Sequence, residues 1–215
     1  GAQALVDLGC DLIVMDDGFQ SARLTVDYAL IVIDSFRGIG NGAIVPAGPV
    51  RAPIPVQMRH LDAILKVGHG DAADQFVRQA ARSGKPVLMA QVQPHDTGAL
   101  VGKRVLAFAG IADPQKFYRT LEGMGAEIVD RQAFPDHHLM DDDDLADLLQ
   151  RAEAQGLLLV TTAKDQVRLM GAPGRASELL SKARVVDVDM HFDDPDAPSR
   201  IIDQAIAACR ARLLK

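Results

Sequence analysis

Leu12-Ile13-Val14-Met15-Asp16-Asp17-Gly18-Phe19-Gln20 is the stretch on which the reading of this chain turns. An apolar run without polar alternation, closed by carboxylates and a glycine, predicts a strand buried on both faces of a parallel sheet. Asp16 and Asp17 then stand at the carboxyl end of that strand, where open α/β sheets bind their ligands. The competing reading is an Asp-Gly turn after a strand.

The same signature recurs on either side. Residues 2–8 read as a helix stopped by Gly9, and residues 29–34 as a second buried strand, again closing on a carboxylate, Asp34. A parallel strand so near the first residue needs neighbours. The first sheet is therefore expected to be incomplete at its N-terminal side, with an earlier part of a longer protein absent. Residues 35–55 form a long loop punctuated by glycine and proline, and loops of this length in compact domains tend to be functional or disordered. Strands follow at 61–67 and 86–90, with a helix over 71–83 between them, Asp71 at its start and Gly84 at its end.

Residues 93–103 change character and read as a link. A second alternating series follows, with strands at 104–109, 126–129, 157–162 and 185–190. Its helices fall at about 114–123, 141–155 and 164–169, and a closing helix spans 201–214. Strands alternating with helices define an α/β fold. The expected organisation is a first domain over 1–92, a linker over 93–103 and a second α/β domain over 104–215.

Composition narrows the possibilities. The chain has 215 residues, 48% hydrophobic and 24% charged, enough to bury a core in one large or two modest domains. The net charge of -6 argues against a nucleic-acid partner, which favours a basic face. Cys10 and Cys209 stand far apart without zinc-ligand spacing, so a reduced setting is the default. No apolar run approaches the roughly 18 residues of a membrane span, so this stretch reads as soluble.

Three clusters could carry chemistry. Asp16 and Asp17 match the one or two carboxylates with which a hydrated magnesium ion is commonly held beside phosphate oxygens, the layout of a Walker B strand. Asp136-His137-His138 places a histidine beside a carboxylate in a loop between strand and helix, as a general base requires. The alternative is a helix-entry loop with Asp136 as cap. Thr161-Thr162-Ala163-Lys164-Asp165 could bind an anion at a helix start or be a strand end with a threonine cap. Among the glycines of the long loop, Arg37 and Arg51 could clamp phosphate. Gly110-Ile111-Ala112-Asp113-Pro114 lacks the three-glycine dinucleotide fingerprint.

Taken in order, these pieces resemble the lipid A 4'-kinase (tetraacyldisaccharide 4'-kinase) family. The matching residues are Asp16-Asp17-Gly18-Phe19-Gln20, Gly40-Asn41-Gly42 with Pro46-Ala47-Gly48-Pro49 and Arg51, and Phe108-Ala109-Gly110-Ile111-Ala112-Asp113-Pro114. Phe134-Pro135-Asp136-His137 and Thr161-Thr162-Ala163-Lys164-Asp165 complete the series. The resemblance implies two α/β/α layers of P-loop or Rossmann-like type joined by a short extended linker. It implies transfer of the γ-phosphate of ATP to the 4' hydroxyl of a tetraacylated glucosamine disaccharide 1-phosphate, at the cytoplasmic face of the bacterial inner membrane. It implies Asp16 and Asp17 at the magnesium and phosphate site and His137 in the pair that activates the sugar hydroxyl. Gln20, Asn41 and Arg51 lie near substrate in the same scheme, and the membrane surface is reached through a missing N-terminal segment.

Two positions depart from the family pattern: Ser21 replaces its usual histidine and Ala52 its usual glutamate. No GxxxxGK[ST] phosphate loop occurs in these residues, so the stretch alone is not expected to be a competent kinase. The rival readings are another P-loop-class small-molecule kinase or ligase, and a non-catalytic α/β binding module.

Overall fold

A computed structural model describes residues 1–136, 138–172 and 174–214. In chain order its elements are α1 (Ala2–Asp7), β1 (Leu30–Asp34), α2 (Ile54–His60), β2 (Ala63–Val67), α3 (Asp74–Arg82) and β3 (Val87–Pro94). Then come β4 (Arg104–Ala109), α4 (Pro114–Gly123), β5 (Glu127–Ala133), α5 (Asp142–Gln155), β6 (Leu158–Thr162) and α6 (Ala163–Leu169). The last are α7 (Arg175–Lys182), β7 (Ala183–Val186), β8 (Val188–Phe192) and α8 (Ala197–Leu213). They divide into two units, Gly1–Val92 with Met190–Lys215, and Gln93–Asp189.

The first unit is built on a sheet of order β1-β2-β3-β8, in which β1, β2 and β3 run parallel. Every residue of β2 is buried, as a central parallel strand requires. Ile33 and Ile64 pack with Met58, Leu61, Phe76 and Ala80, so α2 and α3 cover one face. A charged side chain is buried here as well: Lys66 of β2 reaches Asp74 at the first turn of α3, 2.6 Å away. The pairing lowers the Asp74 carboxyl below its ordinary range, first through that hydrogen bond. Pro55 in the first turn starts α2, a helix that the loop-rich reading of 35–55 does not anticipate.

The expected strand at residues 12–15 is not formed. Those residues are irregular, and Val14 is 87% exposed. A strand exists through the hydrogen bonds of its neighbours, and none of the described strands pairs with this run. β1 stands at the sheet edge instead, with Val32 56% exposed.

The second unit holds a parallel sheet of order β5-β4-β6-β7. Successive residues of β4 point to opposite faces. Leu106 and Phe108 meet Leu145 and Leu148 of α5, Leu169 of α6 and Leu179 of α7. Val105, Ala107 and Ala109 meet Phe117, Tyr118 and Leu121 of α4. Helix entries are built locally: Asp113 caps α4 by accepting from the Lys116 amide, and Asp141 and Asp144 form a capping box on α5. α5 ends at Gly156 in the left-handed region, φ 62°.

Three expectations about organisation differ from the structure. The single strand read at 185–190 is two, β7 in the second sheet and β8 in the first, with Asp187 between them. The residues from Met190 on, including the closing helix, therefore group with the first unit rather than with 104–189. Arg212 near the end of α8 grips Asp27 through two hydrogen bonds, at 2.7 and 3.0 Å. The stretch 93–103 is not wholly a link, because β3 extends to Pro94.

Core burial sets one expectation. Leu148→Ala should destabilise the chain by about 2–5 kcal/mol, whereas Leu139→Ala should stay within about 0.5 kcal/mol, Leu148 being fully buried and Leu139 78% exposed. Urea denaturation of both variants checks this.

Candidate functional site

Asp16 and Asp17 lie in a turn, not at a strand end, and both are exposed. Asp17 adopts φ 50°, the left-handed conformation that an aspartate tolerates in turns. The following Gly18 allows close packing: a Cβ there would meet the Met15 side chain at 2.4 Å. The turn thus aims Asp17 at Arg51, and the two pair in a fork, Nη1 to Oδ1 at 2.8 Å and Nη2 to Oδ2 at 2.9 Å. The carboxylate raises the Arg51 guanidinium above its ordinary value, chiefly through this hydrogen bond.

Arg51 is delivered by the glycine-proline loop, which is ordered by its own backbone. Val45 and Val50 are joined by an N–H to O bond of 2.9 Å, and the Val50 amide donates to Ala43 at 3.1 Å. Asn41 serves this loop directly. Its amide nitrogen donates to the Ala47 carbonyl at 2.9 Å, and its oxygen accepts from the Ala43 amide at 3.1 Å. Gly48 is required beside it, since a Cβ there would stand 2.1 Å from Asn41 Oδ1. Asp17, Gln20 and Arg51 line one recess of about 260 Å³, with Gln57 and Phe76 in its wall. Gln57 was not signalled by any motif; it is buried and donates to the Ala52 carbonyl at 2.6 Å.

The second unit gathers its motifs at one sheet edge. β4 is flanked by β5 and β6, so the crossovers leave it in opposite directions, which makes its carboxyl end the switch point of the sheet. Gly110 follows β4, Phe134-Pro135-Asp136 follows β5, and Thr161-Thr162 ends β6. The threonines resolve toward the structural reading. Thr161 donates to the Phe108 carbonyl at 3.0 Å, and Thr162 caps α6 by accepting from the Asp165 amide at 3.2 Å. His137 lies outside the described residues. Its successor His138 stacks on Phe134, ring centroids 5.1 Å apart, and shares a 2.7 Å hydrogen bond with Asp144. The capping aspartate at the entry to α5 is Asp141, not Asp136.

These features define a class: two α/β units built on parallel strands, the second with its motif loops at the carboxyl ends of its strands. A protein-family model described as tetraacyldisaccharide-1-P 4'-kinase matches residues 1–207, and the chain belongs to that family. A tetraacyldisaccharide 4'-kinase of Sinorhizobium fredii is 58% identical over 215 residues, and one of Agrobacterium fabrum is 59% identical over 215. Each alignment takes in 100% of this chain and 62% of the relative, so the chain spans about three-fifths of the length of these curated relatives. A crystal structure of the "apo" form of LpxK from Aquifex aeolicus in complex with ATP matches with a TM-score of 0.61. It covers 95% of this chain and 60% of that one at 19% identity, a likeness of fold alone.

The Asp17–Arg51 fork is open to solvent, with side-chain exposures of 70% and 54%. Exposed pairs contribute little stability, so Asp17→Asn and Arg51→Ala should each leave the midpoint of unfolding essentially unchanged. Urea denaturation measures this, and a clear fall in the midpoint would make the fork a structural staple.

Proposed function

We propose that the chain is part of a kinase that moves the γ-phosphate of ATP to the 4' hydroxyl of a tetraacylated glucosamine disaccharide 1-phosphate. The observation that supports this best is the Asp17–Arg51 fork, which joins two family motifs across the first unit at 2.8 and 2.9 Å. Phosphoryl transfer is chiefly positioning and charge stabilisation. A carboxylate turn beside an arginine offers both signs of charge that the reaction needs, and the recess they line has room for a polar group.

Magnesium suits the donor set of the turn. The ion keeps several waters and takes one or two carboxylates with phosphate oxygens, and Asp16 and Asp17 are adjacent and exposed. Among the described residues no group of three or more His, Cys, Asp or Glu side chains forms a denser metal cage. When bound there, magnesium would neutralise phosphate charge. Arg51, released from Asp17, would bind a phosphate oxygen through its planar fork. Gln20 would offer a polar contact at the recess. Asn41 acts by holding the loop that carries Arg51, its amide being spent on Ala43 and Ala47. His137 is the proposed base for the attacking hydroxyl.

The phosphate cradle is proposed to come from the portion of the relatives' length that this chain does not span, because these 215 residues hold no GxxxxGK[ST] motif. The acyl chains of the substrate place the reaction at a membrane surface, for which we propose the cytoplasmic face of the inner membrane. Among the described residues no helix is long and apolar enough to cross a membrane.

The test uses the protein at the full length of its relatives, with ATP, magnesium and the disaccharide 1-phosphate. One phosphate should be gained by the lipid, read by mass spectrometry. Transfer to small sugars but not to the lipid would favour another small-molecule kinase, and no transfer to any acceptor would favour a binding module. His137→Ala should lower kcat about 100-fold or more while leaving ATP affinity within about threefold, as expected for a group acting in the chemical step. Unchanged turnover would remove His137 from the mechanism. Asp16→Asn and Asp17→Asn should raise the magnesium concentration needed for half-maximal rate.

A further inference from the structure

We infer that Asp165 and Arg168 form a positioning pair that fixes residues 134–136, the chain segment that leads into His137 in sequence. This rests on the proposed role of His137 in the kinase reading. Asp165 is fully buried, yet it carries a carboxylate. Both of its oxygens lie 3.2 Å from the Gly110 amide, which donates to them, and Thr162 Oγ1 donates to Oδ2 at 2.7 Å. Arg168 supplies the counter-charge, with Nη1 donating to Oδ1 at 3.0 Å. The same Nη1 donates to the Gly110 carbonyl. Its other amino group, Nη2, stands 3.9 Å from Asp136 Oδ1.

One ion pair therefore touches the carboxyl ends of β4, β5 and β6 together. Gly110 is shaped to it: a Cβ there would lie 3.2 Å from Asp165 Oδ1, 3.3 Å from Arg168 Nη1 and 3.6 Å from the Phe134 Cβ. The backbone repeats the tie, since the Phe134 amide donates to the Ala109 carbonyl at 2.9 Å. On the far side of residue 137, His138 is held by Phe134 and Asp144. The residue proposed as base is flanked by two anchored neighbours.

Stability alone does not account for such a pair. Burying opposite charges is often no better than burying apolar side chains of the same size. Apolar residues at 165 and 168 would fill this site without reaching Asp136. A planar guanidinium hydrogen-bonds a carboxylate and a carbonyl while it presents its second amino group toward Asp136, which the point charge of a lysine cannot do.

Arg168→Lys tests this, because it keeps a cation beside the buried Asp165 and removes only the fork. Arg168→Gln serves as a second variant of different charge. Two readouts are taken at the full length of the relatives. Amide hydrogen exchange over residues 134–136 should quicken about tenfold or more in both variants, while exchange within α4 stays unchanged. Turnover should fall about 10- to 100-fold with the KM for ATP within about twofold, as for a misplaced group acting in the chemical step. Unchanged exchange over 134–136 overturns the pair as an anchor, whatever the activity. Quickened exchange with unchanged kcat overturns its bearing on residue 137. Wild-type protein that transfers no phosphate overturns the proposed function, and the exchange comparison then decides the anchor by itself.

Discussion

The buried carboxylate of Asp165 is the constraint on which the second unit's edge depends. A charge without solvent must be matched, and the match comes from two strand ends and a helix turn. Gly110 brings the amide after β4, Thr162 brings the hydroxyl at the end of β6, and Arg168 brings the counter-charge from one turn along α6. Removing one partner of such a pair costs about 3–5 kcal/mol, because the other stays buried and unpaired. The three loops are thereby committed to one arrangement. That is the condition for placing a reactive side chain within the tolerance that catalysis demands.

The first unit solves a different problem. Its charged residues are exposed, so no desolvation forces their geometry. Backbone does the work instead: Asp17 in the left-handed region, Gly18 under the Met15 side chain, and a proline-rich loop closed by Val45, Val50 and Asn41. The Asp17–Arg51 fork is then a meeting of two preformed turns. Being solvent-exposed and worth little, it can be opened by an anion at small cost.

Where sequence signals were local, the elements were legible. β4, α4 and α5 lie where the apolar run 104–109 and the helices expected at about 114–123 and 141–155 place them. Long-range dependence defeated the reading elsewhere. Residues 12–15 have the composition of a buried strand, but a strand is a relation between chains of residues, and none of the described strands pairs with this run. The break at Asp187 is invisible to composition, because residues on both sides suit a strand and only their partners differ. α7 was not anticipated, although Gly171, Pro173 and Gly174 stand just before it in sequence and mark a boundary there. Motif spacing found Asp17, Arg51 and Asp165 as residues of interest. It could not show that Arg51 faces Asp17, or that Arg168, three positions beyond a motif, completes the ion pair.

A double-mutant cycle on Asp165→Asn and Arg168→Gln, read by urea denaturation, tests the central interaction most directly. The coupling free energy should lie between about 0.5 and 3 kcal/mol, the range for contacting residues in one network. Effects that add within about 0.5 kcal/mol would contradict the account, since they would mean that the two charges do not hold one another.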